Sequence, residues 1–229
     1  MQRPLSSPAQ AEYLFLDLDG TLTDPSEGIT RGVMHALEYF GIHEDDPGKL
    51  YPFIGPPLYD SFMRYYGFDL ATAYKAIEYF QEYYARQGMY ENVPYPGINA
   101  LLHDWKSEGR KLILATSKPE VFAVRILERF GMADAFTLIA GGDVEEKRVE
   151  KKLVIDYAIK QLNLSDTCRS LMVGDRKFDV LGAAAHGIPT LGVLYGFGSR
   201  EELSGAGASW LAASVQELGH LMRSDALRP

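Results

Sequence analysis

The chain has 229 residues, 46% of them hydrophobic, and a formal net charge of -8. That apolar share suffices to bury a real core, as one large domain or one domain with an insertion, and it excludes a disordered chain. Lys and Arg are scattered instead of clustered, so there is no electrostatic footprint for a long nucleic acid or an anionic membrane, and a small anionic substrate must find local positive charge.

Taken in chain order, the N-terminal MQRPLSSPAQAEY lacks the apolar run of a secretion signal, and no later segment approaches the roughly 20 apolar residues of a membrane span. The single Cys168 cannot form an internal disulfide. The five histidines (His35, His43, His103, His186, His220) show neither zinc spacing nor a partner cysteine pair. These features lead us to expect a soluble, cytoplasmic protein.

Residues 13–18 (YLFLDL) form a short, nearly continuous apolar run closed by Asp-Gly, the pattern of a buried strand followed by a sharp turn. Residues 24–93 hold only helical patterns (ITRGVMHALEYFG, PPLYDSFMRYYG, LATAYKAIEYFQEYYARQG). Their flanks, DPSEG and NVPYPG, are rich in Pro and Gly, so the spacing predicts an inserted helical domain carried on two linkers. Apolar runs return at 111–117, 136–142, 170–175 and 190–196, separated by helical patterns at 97–109, 119–131, 151–163 and 178–187, several of them stopped by Gly. Such alternation implies an α/β fold, a doubly wound parallel sheet with helices on both faces, built from residues 1–23 and 94–229. In sheets of this kind ligands sit at the carboxyl ends of the strands.

The residues with chemical potential fall at those strand ends. Asp17 and Asp19 stand in DLDGTLT, two apart on a strand, so both carboxylates face one site while Leu18 faces the core. Like charges that close repel by about 4 kcal/mol at an effective dielectric near 20, and a bound Mg2+ would relieve this. The pattern D-x-D-G-T starts by chance at only about one position in a hundred thousand. A calcium loop would need a further oxygen ligand and a Glu at fixed spacing, and neither follows. Thr116 and Ser117 end the second core strand. Ser117 suits a helix N-cap, and the Thr116 hydroxyl with the adjoining backbone N–H groups suits phosphate oxygens. Lys151 lies in EEKRVEKK, where Lys147, Arg148 and Lys152 compete for the same role and a solvated face is the ordinary reading. Asp175 and Asp179 in GDRKFD lie one helical turn apart; the macrodipole accounts for one of them, and both together with Asp17 would supply hard oxygen ligands.

The four elements DLDGT, the ATS strand end, Lys151 and GDRKFD stand in order. With FIGPPL, LATSKP, RVEKKLVI and GVLYGFGSREEL beside them, the sequence resembles the haloacid dehalogenase superfamily of phosphatases with a helical cap inserted after the first motif. It is most similar to the phosphoglycolate phosphatase and 5'-nucleotidase-like branch. The resemblance implies that Asp17 is the nucleophile and Asp19 the acid and base. Thr116 and Ser117 would bind the phosphoryl group, and Lys151 would neutralise nucleophile and phosphate. Asp17, Asp175, Asp179 and the Asp19 backbone carbonyl would hold Mg2+. The implied substrate is a small phosphorylated metabolite, phosphoglycolate or a nucleoside 5'-monophosphate. The alternatives are a phosphosugar mutase of the same fold, which the motifs do not exclude, and a non-catalytic binding protein, against which the intact set of Asp17, Asp19, Thr116, Lys151 and Asp175 argues. Within the insertion Arg31, Phe53, Tyr59 and Arg64 are candidates for substrate choice by composition alone, and oligomeric state is not legible.

Overall fold

A computed structural model of the chain describes residues 5–143 and 148–223. The chain divides into two compact units, one of residues 1–23 and 94–229, the other of residues 24–93. It enters the larger unit at β1 (Tyr13–Leu16), leaves at β2 (Thr23–Asp24) and returns at β3 (Val93–Pro94). It then adds β4 (Lys111–Pro119), β5 (Leu138–Gly142), β6 (Ser170–Gly174), β7 (Thr190–Val193) and β8 (Trp210–Ala212). β2 and β3 form their own two-stranded sheet.

The other six strands form one parallel sheet in the order β5-β4-β1-β6-β7-β8. The chain builds outward on one side of β1, returns, and builds on the other side, which is the doubly wound arrangement. β1 is central: Leu14 is in register with Leu112 of β4 and with Leu171 of β6. Helices α4 (Ile98–Ser107), α5 (Glu120–Arg129), α6 (Lys151–Gln161), α7 (Lys177–Ala184), α8 (Arg200–Ala206) and α9 (Val215–Leu221) make the crossovers and the closing turns. Parallel strands covered on both faces must be apolar on both, which is why YLFL, LILA and LMV read as continuous runs. Phe15, Ile113, Ala140 and Met172 from four adjacent strands pack with Val154, Ile155 and Ala158 of α6 in one buried cluster.

The smaller unit holds α1 (Ser26–Glu38), α2 (Leu58–Tyr66) and α3 (Leu70–Arg86), with 3-10 turns at Pro47–Phe53 and Gly88–Tyr90. Its interior is aromatic. Phe53 meets Phe62 edge-on at 5.1 Å between ring centroids, and Phe62 stacks on Phe68 at 5.8 Å. No helix among the described residues is long and apolar enough to cross a membrane.

Three features depart from the sequence reading. β4 runs through Ser117 to Pro119 with a register shift after Ala115, and α5 starts with Pro119 as its cap residue and no side-chain cap, so Ser117 is not an N-cap. The Ser117–Pro119 peptides stay extended because a residue before proline is driven out of the helical region. Beyond residue 196 the chain adds α8, β8 and α9, each too short for periodicity to declare it. The two-residue strands β2 and β3 sit at the borders of the segment read as purely helical.

Phe62 is fully buried among these rings, so Phe62→Ala is expected to destabilise the 24–93 unit by about 3–5 kcal/mol. Urea unfolding followed by tyrosine fluorescence checks this, and a loss below about 1 kcal/mol would contradict the aromatic core described here.

Candidate active site

The site grows from the carboxyl ends of β1, β4 and β6. Asp17 follows β1, and its N–H still donates to the Val173 carbonyl at 3.0 Å, so the sheet ladder fixes its backbone. Asp175 directly follows the last residue of β6, Gly174. These are the two strands at which the winding direction reverses, where a doubly wound sheet opens a crevice.

Lys151, the first residue of α6, crosses beneath them. Its ammonium lies 2.7 Å from Asp17 Oδ1 and 2.7 Å from Asp179 Oδ1, and it donates to the Ala115 carbonyl at 2.8 Å. Lys151 is buried, whereas Lys152 is exposed. Arg148 is held elsewhere: its Nε donates to the Gly141 carbonyl at 2.9 Å and its guanidinium lies 3.9 Å from the Tyr157 ring centroid. Lys147 lies outside the described residues. Among the described members of the charge run, Lys151 is the one whose ammonium pairs with Asp17 and Asp179, whereas Arg148 is engaged at the end of β5.

Close approach requires glycine at three places. A Cβ on Gly182 would lie 2.8 Å from Lys151 Cβ, and one on Gly174 would lie 2.3 Å from Asp179 Cγ. Gly20 has φ of +79°, and a Cβ there would lie 2.1 Å from Asp175 Oδ2, so the turn after Asp19 needs glycine for both conformation and space.

Asp17, Asp175 and Asp179 bring a carboxylate oxygen each to within 4.8 Å of one another. Asp179 Oδ2 accepts from Arg176 N at 3.0 Å and Asp175 Oδ2 from Phe197 N at 2.8 Å, but Asp175 Oδ1 is buried without a hydrogen-bond partner. One ammonium pairs with two of these three carboxylates, Asp17 and Asp179. Burial pushes the Asp179 carboxyl up to about 6 against the pull of Lys151, with Asp17 adding to the rise. Asp175 is raised well above the usual carboxylate range by burial and then by Asp179 and Asp17. Burial works against the charge on Lys151, yet Asp17 and Asp179 together raise its pKa. An orphaned carboxylate oxygen in a set of hard oxygen donors with excess negative charge fits a divalent cation of the Mg2+ type.

The remaining candidates line the same strand ends. The Asp19 side chain stands outside the three-carboxylate group. Its Oδ2 pairs with Lys118 Nζ at 2.8 Å, while its Oδ1 is buried without a hydrogen-bond partner. Burial raises the Asp19 carboxyl, Lys118 opposes that rise, and Asp17 adds to it. Lys118 was not singled out in the sequence, although it lies two residues beyond Thr116 on the same strand. Thr116 is buried, its Oγ1 accepting from Lys118 N at 3.3 Å, and Ser117 is half-buried in the irregular part of β4.

Within the 24–93 unit the four compositional candidates fare differently. Arg31 forms ion pairs with Glu27 at 2.8 Å and with Glu91, Phe53 is buried in the aromatic core, Tyr59 stacks on Tyr74 at 6.0 Å, and Arg64 is exposed with its guanidinium 5.5 Å from the Tyr65 ring.

The family model described as haloacid dehalogenase-like hydrolase matches residues 14–193. A 5'-nucleotidase of Pseudomonas aeruginosa is 42% identical over 212 residues, 92% of this chain and 95% of the relative. A protein of Mycobacterium tuberculosis named tyrosine-protein kinase PtkA is 37% identical over 219 residues, 94% of this chain and 74% of the relative. Among solved structures, a predicted phosphatase from Clostridium acetobutylicum is 47% identical with a TM-score of 0.89, covering 91% of this chain and 96% of that one.

Because burial raises the Asp179 carboxyl to about 6, the cation-free folded chain holds a proton there that the unfolded chain loses near pH 4, and stability falls as pH rises through that window, with the raised Asp175 acting in the same direction. Asp175→Asn is therefore expected to raise cation-free stability at pH 7 by about 1–3 kcal/mol, to flatten that fall, and to abolish stabilisation by added Mg2+. Thermal melting of both chains across pH, with and without Mg2+, checks this; a variant less stable than the native chain at pH 7 without cation would contradict it.

Proposed function

The chain belongs to the haloacid dehalogenase-like hydrolases, and from that premise we propose that it is a Mg2+-dependent phosphomonoester hydrolase that works through an aspartyl phosphate on Asp17. The observation that carries this reading is the Lys151 ammonium, held by Asp17, Asp179 and the Ala115 carbonyl beside an under-paired Asp175.

Lys151 occupies Asp17 Oδ1, which fixes the carboxylate plane and leaves Oδ2 to attack phosphorus. As the bond from phosphorus to the ester oxygen breaks, the leaving oxygen takes a proton from Asp19, whose raised pKa suits it to carry one. In the second step Asp19, now ionised and held by Lys118, takes a proton from water. That water attacks phosphorus, releasing inorganic phosphate and restoring the Asp17 carboxylate. Thr116 and the extended peptides after it supply donors for the phosphoryl oxygens, and the fixed ammonium offsets their charge. Asp17, Asp175 and Asp179, with the Asp19 carbonyl, would hold Mg2+, whose contribution is charge neutralisation of phosphate and nucleophile.

The reading favours a nucleoside 5'-monophosphate, with phosphoglycolate second, because a 5'-nucleotidase is 42% identical over nearly the whole length. We assign substrate choice to residues 24–93. The name of the kinase-named relative points to a different phosphoryl acceptor, a tyrosine hydroxyl instead of water.

Phosphate release from a panel of nucleoside 5'-monophosphates, phosphoglycolate and sugar phosphates is expected to require Mg2+. It should fall by at least about a thousandfold in Asp17→Asn and by about 10²–10⁴-fold in Asp19→Asn. Release that persists in Asp17→Asn would overturn the mechanism. Transfer of label from ATP to a tyrosine substrate, with no phosphate release from any monoester, would favour the kinase-type acceptor.

A further inference from the structure

The loop that follows β7 is not accounted for by the chemistry above, yet it touches the cation site from behind. Asp175 has two oxygens in different circumstances: Oδ2 accepts the Phe197 N–H at 2.8 Å, and Oδ1 is buried with no hydrogen-bond partner. The backbone on either side of Phe197 is packed on the same residue. A Cβ on Gly196 would lie 2.5 Å from Asp175 Cβ and 2.3 Å from the Gly20 carbonyl oxygen, and one on Gly198 would lie 1.9 Å from the Asp175 carbonyl oxygen. Neither glycine has a positive φ, so what forbids a side chain at these positions is space and not conformation.

The loop is anchored at its start. Tyr195 Oη donates to the Thr21 carbonyl at 3.0 Å, and the Tyr195 ring meets Tyr95 edge-on at 4.9 Å. Thr21 belongs to the turn that contains Gly20, whose own close approach to Asp175 requires the missing Cβ. A hydroxyl, an amide and two glycines thus tie the β7 loop to the turn after β1 and to the end of β6.

We infer that Tyr195, Gly196, Phe197 and Gly198 position the cation site: the Phe197 amide takes one oxygen of Asp175 so that the other is presented to the metal, and the Tyr195 hydroxyl locks this loop to the Asp17–Thr21 turn. This rests on the reading of Asp17, Asp175 and Asp179 as a divalent-cation site. A carboxylate with both oxygens free could turn about its own axis; one with Oδ2 held by an N–H is fixed in plane, so its other oxygen keeps one direction.

The test is Mg2+ titration by calorimetry on the native full chain, Tyr195→Phe, Gly196→Ala and Asp175→Asn, with melting temperatures measured with and without Mg2+. Gly196→Ala is expected to weaken Mg2+ binding by about 10–100-fold. Tyr195→Phe, which keeps the ring on Tyr95 and so decides the matter if Gly196→Ala does not fold, should weaken it by a smaller factor in the same direction. A merely structural role would lower the melting temperature equally with and without Mg2+, whereas a positioning role shrinks the increment that Mg2+ gives. Native chain binding Mg2+ with the loop variants binding it equally well would overturn the inference and leave the cation site standing. Native chain binding no Mg2+, and matching Asp175→Asn, would overturn the cation site itself and the inference with it.

Discussion

The buried ammonium of Lys151 is the contact on which the site depends. It is the only positive group within reach of Asp17 and Asp179 among the described ion pairs, and its third partner, the Ala115 carbonyl, ties it to the end of β4. Breaking a buried pair by removing one partner is costly because the other charge is left without compensation. Here the cost would be compounded, since one ammonium already serves two carboxylates with a third close by. The fold answers with rigid geometry: three strand ends, the first turn of α6 and the first turn of α7 converge, and Gly174 and Gly182 remove the side chains that would hold them apart. An excess of buried negative charge is a poor way to stabilise a protein and a good way to hold a cation and a phosphoryl group, the usual exchange of stability for activity.

That convergence explains which parts of the sequence were readable. The six-stranded sheet announced itself because strands buried on both faces must be apolar throughout, and D-x-D-G-T and GDRKFD stand where those runs stop. The choice among the basic residues was unreadable as charge but readable as phase. Lys151, Val154, Ile155 and Ala158 are the buried residues of α6, at i, i+3, i+4 and i+7, so Lys151 heads the apolar stripe while Lys152 falls on the wet side. Lys118 was overlooked because ATSKP looks like the start of a helix, when the chain stays extended until Pro119 and brings Lys118 to Asp19. The C-terminal helices carry the signal Ser-x-x-Glu in SREE and SVQE. Ser199 and Ser214 do cap α8 and α9, each accepting an N–H at 3.1 Å, but seven residues are too few for periodicity to draw notice.

Phe53, a compositional candidate for substrate choice, packs edge-on against Phe62, which stacks on Phe68, and Tyr39 lies flat on Tyr79 at 3.6 Å. Arg31, which could have met an anionic substrate, forms ion pairs with Glu27 and Glu91. Aromatic packing and ion pairing within the unit therefore account for much of what composition alone had offered as recognition chemistry.

The central claim is covalent: the phosphoryl group rests on Asp17. The most direct measurement is rapid acid quench of the native chain during turnover with Mg2+ and a cleaved monoester, followed by peptide mass spectrometry. The account predicts a phosphoryl adduct that is labile to hydroxylamine and confined to the peptide containing Asp17, and that disappears when the substrate is exhausted. Steady turnover with no adduct, or an adduct on any other residue, would contradict it.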